Sequence, residues 1–436
     1  MGHLAPFLRL ASALSSHNCK VTLITPRPTV SASESRNISA LLSAFPHIRP
    51  IEFRIPHYDA LGADPFYAHN EAMRASAHGL LLSSLSPPPS AIVIDISLAS
   101  AFIPVSKKLN LRAFVFFSSS ATMLSLFAYY PRVIGTARAH CAHHLDIPGL
   151  PPFPRSSVPP VLDDPDNLFT RQFIENGRAL VDAEGIVLNT FEALEGVALA
   201  ALNGGRVVPG LPPVTAVGPL EPFAGGGLCA RVREWLDRQP ARSVVYVSFG
   251  SRAAMSEAQI EQLGIGLERS GCGYVWVVKT KAVDREERAE EAVEVREKGV
   301  VVREWVEQEA ILAHEAVALF VSHCGWNSVT EAALRGVRVL AWPLGMDQMS
   351  NAGTIERCGL GKWRGWGGGG DGEVVVGGEE IGEVVREMVA EGGGAGAGVG
   401  VGWARVGEEA RRAVGVGGSS YAGLVGLIEE FGRASL

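Results

Sequence analysis

The residue pattern predicts an α/β chain of two doubly wound halves, each a mainly parallel sheet covered by helices. Three observations carry that expectation. Short β-branched runs alternate with stretches of helical spacing in two separate series, and the glycine-rich segment Glu221-Pro-Phe-Ala-Gly-Gly-Gly227 stands between the series. In the second series, Val321-Ser-His-Cys-Gly-Trp-Asn-Ser-Val-Thr-Glu331 lies between two apolar runs, as the turn and helix of a β-α-β unit would.

In the first series, Leu4, Phe7, Leu8, Ala11 and Leu14 follow helical spacing and Val21–Thr25 is a β-branched run. Strands are expected at Ile51–Phe53, Ala91–Ile96, Arg112–Phe117 and Gly185–Asn189, with a proline-rich, irregular excursion over 131–183. The chain opens directly with a helix that feeds a strand, so the first β-α-β unit lacks its leading strand and the sequence is expected to lack its true N-terminus. Val214–Pro219 closes this half. The second half has strands expected at Ser243–Phe249, Tyr274–Lys279, Val300–Arg303, Val317–Ser322 and Val337–Trp342. Val283–Glu297 is dense in charge and reads as a solvated loop or helix face. The glycine-rich patches Gly365–Gly372 and Gly392–Gly402 flank a helical run, Glu379–Ala390, and read as flexible insertions.

A chain of 436 residues, 47% hydrophobic and with a formal charge of −7, has room for two cores and offers no basic surface for nucleic acid. Six cysteines without a C-x-x-C pair fit reduced thiols in the cytoplasm. The apolar stretch Phe114–Tyr130 is broken by Ser118, Ser119, Ser120, Thr122 and Ser125, which suits a buried strand and helix better than a membrane span. There is no basic leader region, and Pro6 breaks a myristoylation pattern, so no membrane insertion is expected.

The chemistry gathers at strand ends. A helix that starts at the carboxyl end of a parallel strand presents backbone N–H groups and a positive dipole end, and His323, Asn327 and Ser328 crowd such a start. Ser328 and Glu331 have the S-x-x-E spacing of a helix N-terminus, and Gly336 stands where that helix would stop. A phosphate site is the expectation. Taken alone, Ser328 and Glu331 make a plain capping box, His3 an exposed terminal histidine and Asp95 a helix cap. Asp95 ends an apolar strand, which aims its carboxylate at the sheet's carboxyl edge. The G-x-G-x-x-G turn of a dinucleotide dehydrogenase is missing from both halves. His140, Cys141, His143 and His144 fit no common zinc spacing, and Asp163-Asp-Pro-Asp166 reads as a solvated turn, so no metal is expected.

Trp305-Val-Glu-Gln308 through Asp347-Gln348 resembles the signature box of plant UDP-sugar-dependent glycosyltransferases, with His323, Trp326, Asn327, Ser328 and Glu331 at the family's spacing. Gly2-His3-Leu4-Ala5-Pro6, Asp95 and Ser248-Phe-Gly-Ser251 add further matches. The sequence departs from the family at Val306-Glu307, where Ala-Pro is usual, and in its C-terminal glycine patches. The resemblance implies the GT-B architecture, two Rossmann-like domains whose sheets face a cleft. It places an acceptor domain at 1–220, a linker at 221–228, a UDP-sugar domain at 229–415 and a returning helix at 416–436. Within the family, Asp64-Pro-Phe-Tyr67, Pro154–Pro159 with Phe169–Phe173, and Trp276–Asp284 look like flavonoid C-glycosyltransferases.

The resemblance implies the roles. Trp305 stacks on uracil, which Val306 holds through its backbone; Gln308 adds a nucleotide contact, and Glu331 takes the ribose hydroxyls. Ser251, His323, Trp326, Asn327 and Ser328 complete the UDP set. Ser118, Asp347 and Gln348 serve the sugar, with Gln348 pointing to glucose. His3, oriented by Asp95, is the general base, and Phe66, Tyr67 and Phe117 are candidates to line an acceptor pocket. The expected enzyme is an inverting, metal-independent monomer without cofactor, moving glucose from UDP-glucose to a polyphenol such as a flavonoid precursor by C-glucosylation. An O-glucosyltransferase and a catalytically impaired UDP-sugar binder stand as alternatives.

Overall fold

The computed structural model describes residues 2–27, 32–55, 65–76, 85–136, 143–223, 227–250, 255–278, 293–303, 306–367, 374–393 and 402–433. The chain forms two compact units, Met1–Gly225 with Arg412–Leu436, and Gly226–Arg411.

In the first unit, α1 (Leu4–Ser16) leads into β1 (Thr22–Arg27), and α2 (Ala32–Ala44) leads into β2 (Arg49–Arg54). These two strands pair in parallel, Thr22 opposite Arg49, and form a sheet of their own among the described residues. Then come α3 (Pro65–Ala75), β3 (Ala91–Asp95), α4 (Ala99–Lys108), β4 (Arg112–Phe117) and α5 (Ala121–Val133). Two short strands, β5 (His144–Leu145) and β6 (Phe153–Pro154), pair antiparallel. After them stand α6 (Leu168–Ala179), β7 (Gly185–Leu188), α7 (Glu192–Asn203) and β8 (Val214–Ala216).

The larger sheet runs β3-β4-β7-β8, all parallel. Every residue of β4 after Arg112 is buried, as a central parallel strand with both faces covered requires. The edge strand β3 is mostly half-buried. The stretch expected to be irregular contains the whole of α6. Asn167 starts that helix by accepting a hydrogen bond from Phe169 N at 2.9 Å, once the last proline has passed. Its buried face, Thr170, Phe173 and Gly177, follows the helical repeat that the prolines before it obscured.

The second unit holds α8 (Ala230–Leu236), β9 (Val244–Ser248), α9 (Glu257–Ser270), β10 (Gly273–Val277), β11 (Val293–Val295) and β12 (Gly299–Val302). It continues with α10 (Gln308–Leu312), β13 (Val317–Ser322), α11 (Trp326–Arg335), β14 (Arg338–Ala341) and α12 (Gln348–Cys358). The unit ends with β15 (Gly361–Trp363), α13 (Gly378–Gly393) and α14 (Gly402–Val414), the last running three residues past the unit's boundary. The sheet order is β11-β12-β10-β9-β13-β14-β15, with β11 alone antiparallel. Part of the charged segment expected as loop or helix is therefore strand: Val293 and Val295 alternate with Glu294, a period of two that pairs against β12. The middle strands β9 and β13 are wholly buried.

Strand order reverses between β9 and β13. From β9 the chain winds outward through β10 and β12, then returns to β9's other side at β13. Such a reversal opens a crevice at the strands' carboxyl ends, where ligands bind in open α/β sheets. The last helix, α15 (Ser419–Gly432), packs in the first unit. Leu424 and Leu427 join Phe114 and Phe116 in its core, and Arg112 donates to Glu430 Oε2 at 2.9 Å. A Cβ at Gly423 would lie 2.5 Å from Ala216 O, so the helix approaches β8 where only glycine fits.

Candidate functional site

In the second unit, register places Ser322 opposite Ser248, so Phe249-Gly250 and His323-Cys324 leave the sheet side by side at the reversal point. The His323 ring lies against two bare Cα atoms: a Cβ on Gly250 or on Gly325 would stand 2.5 Å from its Nε2. Gly250 also has φ of +74°, which a side chain resists. Burial, opposed only in part by the nearby Ser248 main chain, lowers the His323 pKa to about 4. At neutral pH the ring is uncharged and carries one N–H.

The helix beside it starts earlier than the S-x-x-E spacing suggested. Gly325 is the N-cap of α11 and no side chain caps it, so Ser328 and Glu331 lie inside the helix and form no capping box. Their partner is Gln308 at the start of α10. Gln308 Nε2 donates to Ser328 Oγ at 2.9 Å and to Glu331 Oε2 at 2.6 Å. Tyr246 on β9 donates its hydroxyl to Gln308 Oε1 at 3.3 Å, which sets the amide's orientation. Burial raises the Tyr246 pKa, a hydrogen bond with Ser248 lowers it and the Glu331 charge raises it further, so Tyr246 stays a neutral donor. A helix start without a side-chain cap offers its first N–H groups and positive dipole end to an anion.

Asn351 ties the next helix to this turn, its Nδ2 donating to Cys324 O at 3.0 Å and to Asp347 Oδ2 at 3.1 Å. Gln348 Oε1 accepts from Leu344 N at 2.8 Å, fixing the loop before α12. Asn327 and Val306 are half-buried and Trp326 is buried. Ser251 and Trp305 lie outside the described residues.

In the first unit, β3 and β4 are neighbours with Asp95 opposite Phe116, which brings Asp95 and Ser118 to the same sheet edge. His3, at the N-cap of α1, meets both: Nδ1 lies 2.8 Å from Asp95 Oδ2 and 3.1 Å from Ser118 Oγ. Asp95 also takes the capping role, its Oδ1 accepting from Ser97 N at 2.8 Å and from Ser97 Oγ at 2.5 Å. Burial works to raise the Asp95 pKa, but the His3 charge and the hydrogen bonds from His3 and Ser97 outweigh it and hold it low. Asp95 is therefore a fixed carboxylate, 14% exposed, beneath a ring 36% exposed. Ser118, expected at the sugar, stands on the histidine.

The aromatic candidates separate. Tyr67 is half-buried with its ring centroid 5.0 Å from Phe169. Phe117 is 3% exposed and packs edge-on to Phe127 within the core, so it does not line a pocket there. The Phe66 side chain lies outside the described residues. Asp163 pairs with Arg155, and Asp164 Oδ1 accepts from Asp166 N at 3.0 Å, a turn held by its own side chains. Among the described residues no group of His, Cys, Asp or Glu is arranged to hold a metal, and no helix is long and apolar enough to cross a membrane. Tyr246, Ser97 and Asn351 were not foreseen. Tyr246 and Asn351 reach residues remote in sequence, Ser97 meets Asp95 through a turn two residues on, and only the strand position of Tyr246 hinted at a role.

A mainly parallel sheet whose reversal point carries a helix start without a side-chain cap, together with a His–Asp pair at another sheet edge, suits an enzyme that works on a phosphate-activated substrate. The family described as UDP-glucoronosyl and UDP-glucosyl transferase matches residues 208–362. The UDP-glycosyltransferase CGT of Oryza sativa subsp. indica is 50% identical over 415 residues, covering 90% of this chain and 86% of that protein. The UDP-glycosyltransferase 708G2 of Citrus unshiu is 46% identical, covering 89% and 87%. Among solved structures, LpCGTa in complex with UDP matches with a TM-score of 0.85 at 45% identity, over 100% of this chain and 97% of that one. The chain belongs to the plant UDP-glycosyltransferases: it is an enzyme of GT-B fold that transfers a sugar from a UDP-sugar.

Proposed function

We propose that this enzyme transfers glucose from UDP-glucose to a ring carbon of a polyhydroxylated phenol of the flavonoid-precursor type, with inversion and without a metal. The observation that carries the reading is the 2.8 Å contact between His3 Nδ1 and Asp95 Oδ2. When Nδ1–H is given to the carboxylate, the lone pair of the neutral ring is on Nε2, which is the atom that takes the phenol proton.

The phenolate formed is nucleophilic at the carbon ortho to its oxygen. That carbon attacks the anomeric carbon of glucose from the face opposite the diphosphate. A C–C bond forms, the anomeric C–O bond breaks, and its electron pair leaves on the β-phosphate oxygen of UDP. The attacked carbon then loses its proton to solvent, which restores the aromatic ring as a phenolate, and the proton held on His3 returns to that oxygen to give back the phenol and the neutral imidazole. The charge that develops on the diphosphate is met by the start of α11 and the His323 N–H, with Glu331 holding the ribose and Asp347 and Gln348 the sugar hydroxyls. The CGT designation of relatives supports the carbon linkage.

The test is mass spectrometry of products from UDP-glucose and a panel of polyhydroxylated phenols, with and without chelator, followed by acid treatment. The reading expects glucosides that survive hot acid and a yield unaffected by EDTA. Acid-labile products would assign an O-glucosyltransferase instead.

A further inference from the structure

Glu195 is a carboxylate that the chemistry above leaves unused. It is 4% exposed and sits in the first turn of α7 with φ of −138° and ψ of 30°, outside the helical region. It reaches the start of α5. Its Oε2 accepts from Ala121 N at 2.7 Å and from Thr190 Oγ1 at 2.9 Å, while Oε1 accepts from Thr122 N and Thr122 Oγ1, both at 3.0 Å. Ser120 caps the same helix by accepting from Met123 N at 3.2 Å. The two helix starts of interest are thus opposite in kind. That of α11 has only a glycine cap, whereas that of α5 is filled by a carboxylate 74 residues away in sequence.

The turn held in this way is the one that carries Ser118 from the end of β4 to α5. Ser118 Oγ is 3.1 Å from His3 Nδ1, the nitrogen that Asp95 also engages. We propose that Glu195 is a positioning residue for the transfer: it clamps the turn from Ser118 to Thr122 so that the Ser118 hydroxyl and Asp95 together fix the His3 ring. The proposal rests on His3 being the base. Four donors converging on one buried carboxylate leave the turn little freedom, and a general base displaced by about 1 Å can lose on the order of a hundredfold in rate.

The experiment is a double-mutant cycle of Glu195→Gln and Ser118→Ala in the full chain, with kcat, KM for UDP-glucose, UDP affinity and melting temperature measured on each variant. The glutamine keeps the size but turns an NH2 group toward N–H donors. Each single variant is expected to lose roughly tenfold to a hundredfold in kcat, with KM and UDP affinity unchanged, and the double variant to be no worse than the worse single. Glu195→Asp should recover part of the loss. Should Glu195→Gln fail to fold, Thr190→Val removes one of the four donors and is expected to show a several-fold loss of kcat, with the same lack of additivity toward Ser118→Ala. Additive losses in the cycle, or a kcat that falls only with the folded fraction, would overturn the clamp. His3→Ala measured alongside separates this from the base assignment: full turnover in that variant sinks the assignment, whereas a crippled His3→Ala with an additive cycle sinks the clamp alone.

Discussion

Gln308 Nε2 lies 2.6 Å from Glu331 Oε2, so the short helix α10 reaches across to the second turn of α11 and holds its carboxylate in place. The same amide holds Ser328, and the Tyr246 hydroxyl prevents it from flipping. Glu331→Ala and Gln308→Ala should each weaken UDP binding by roughly tenfold, the scale of one hydrogen bond to a charged group. Because the residues touch, the double variant should fall short of the product of the two losses. Calorimetric titration of UDP checks this; two independent, multiplying losses would mean that the pair does not act together.

Gly250 and Gly325 make room for the His323 ring. Alanine at either position pushes a methyl group into Nε2, and at Gly250 it must also adopt a positive φ. Each substitution should raise KM for UDP-glucose by at least about tenfold while leaving a folded protein, since the strain of one such residue is on the order of 1–3 kcal/mol. An unchanged KM in both would show that the ring does not need this position to hold the donor.

His323 also predicts a pH dependence. Its folded pKa, about 4, lies below the usual value near 6.5, so between these values the unfolded chain binds more protons than the folded one. Stability should therefore fall as pH drops through this window, and His323→Gln should remove that share of the slope. Melting curves of both proteins from about pH 7 to pH 4.5 read it out, within the range that the two pKa values set. Identical slopes would contradict a ring buried in its neutral form.

Asp95 has the same sign, in a more acidic window. Its carboxyl is held below the ordinary value despite burial, so its stabilising contribution is present above about pH 4 and is lost as pH falls through the lowered pKa. The melting temperatures of wild type and Asp95→Asn should differ at pH 6 and converge under strong acid. In turnover, His3→Ala should cost about 10²–10⁴-fold in kcat, the range of general-base catalysis. Asp95→Asn should cost less with the most acidic phenols, which need the base least.

Much of this was legible in the sequence because it is local. Apolar runs such as Val317–Ser322, followed by a turn and a helix, announce a parallel strand and its crossover, and Asp95 at the end of an apolar run points to a sheet edge. What escaped was contact between distant segments. S-x-x-E predicted a cap at Ser328, but a glycine can start a helix without leaving a side-chain signature, and α11 begins at Trp326. Glu195 looks like any acidic residue in a helix's first turn. Only the folded chain shows it turned toward main-chain N–H groups of another helix. The strand at Val293–Val295 was hidden by its charged neighbours, since an edge strand with three residues carries too short a period to read.

The assignment of α15 to the first unit bears on how the protein is made. Leu424, Leu427 and Phe431 complete a core begun by Leu10 and Phe7, so that core cannot close until α15 has been made. The second unit, by contrast, is continuous from Gly226 to Arg411 and takes no element from α15. A chain that stops before α15 is thus left with part of the apolar face of β4 uncovered, although every strand of the second unit's sheet has already been made.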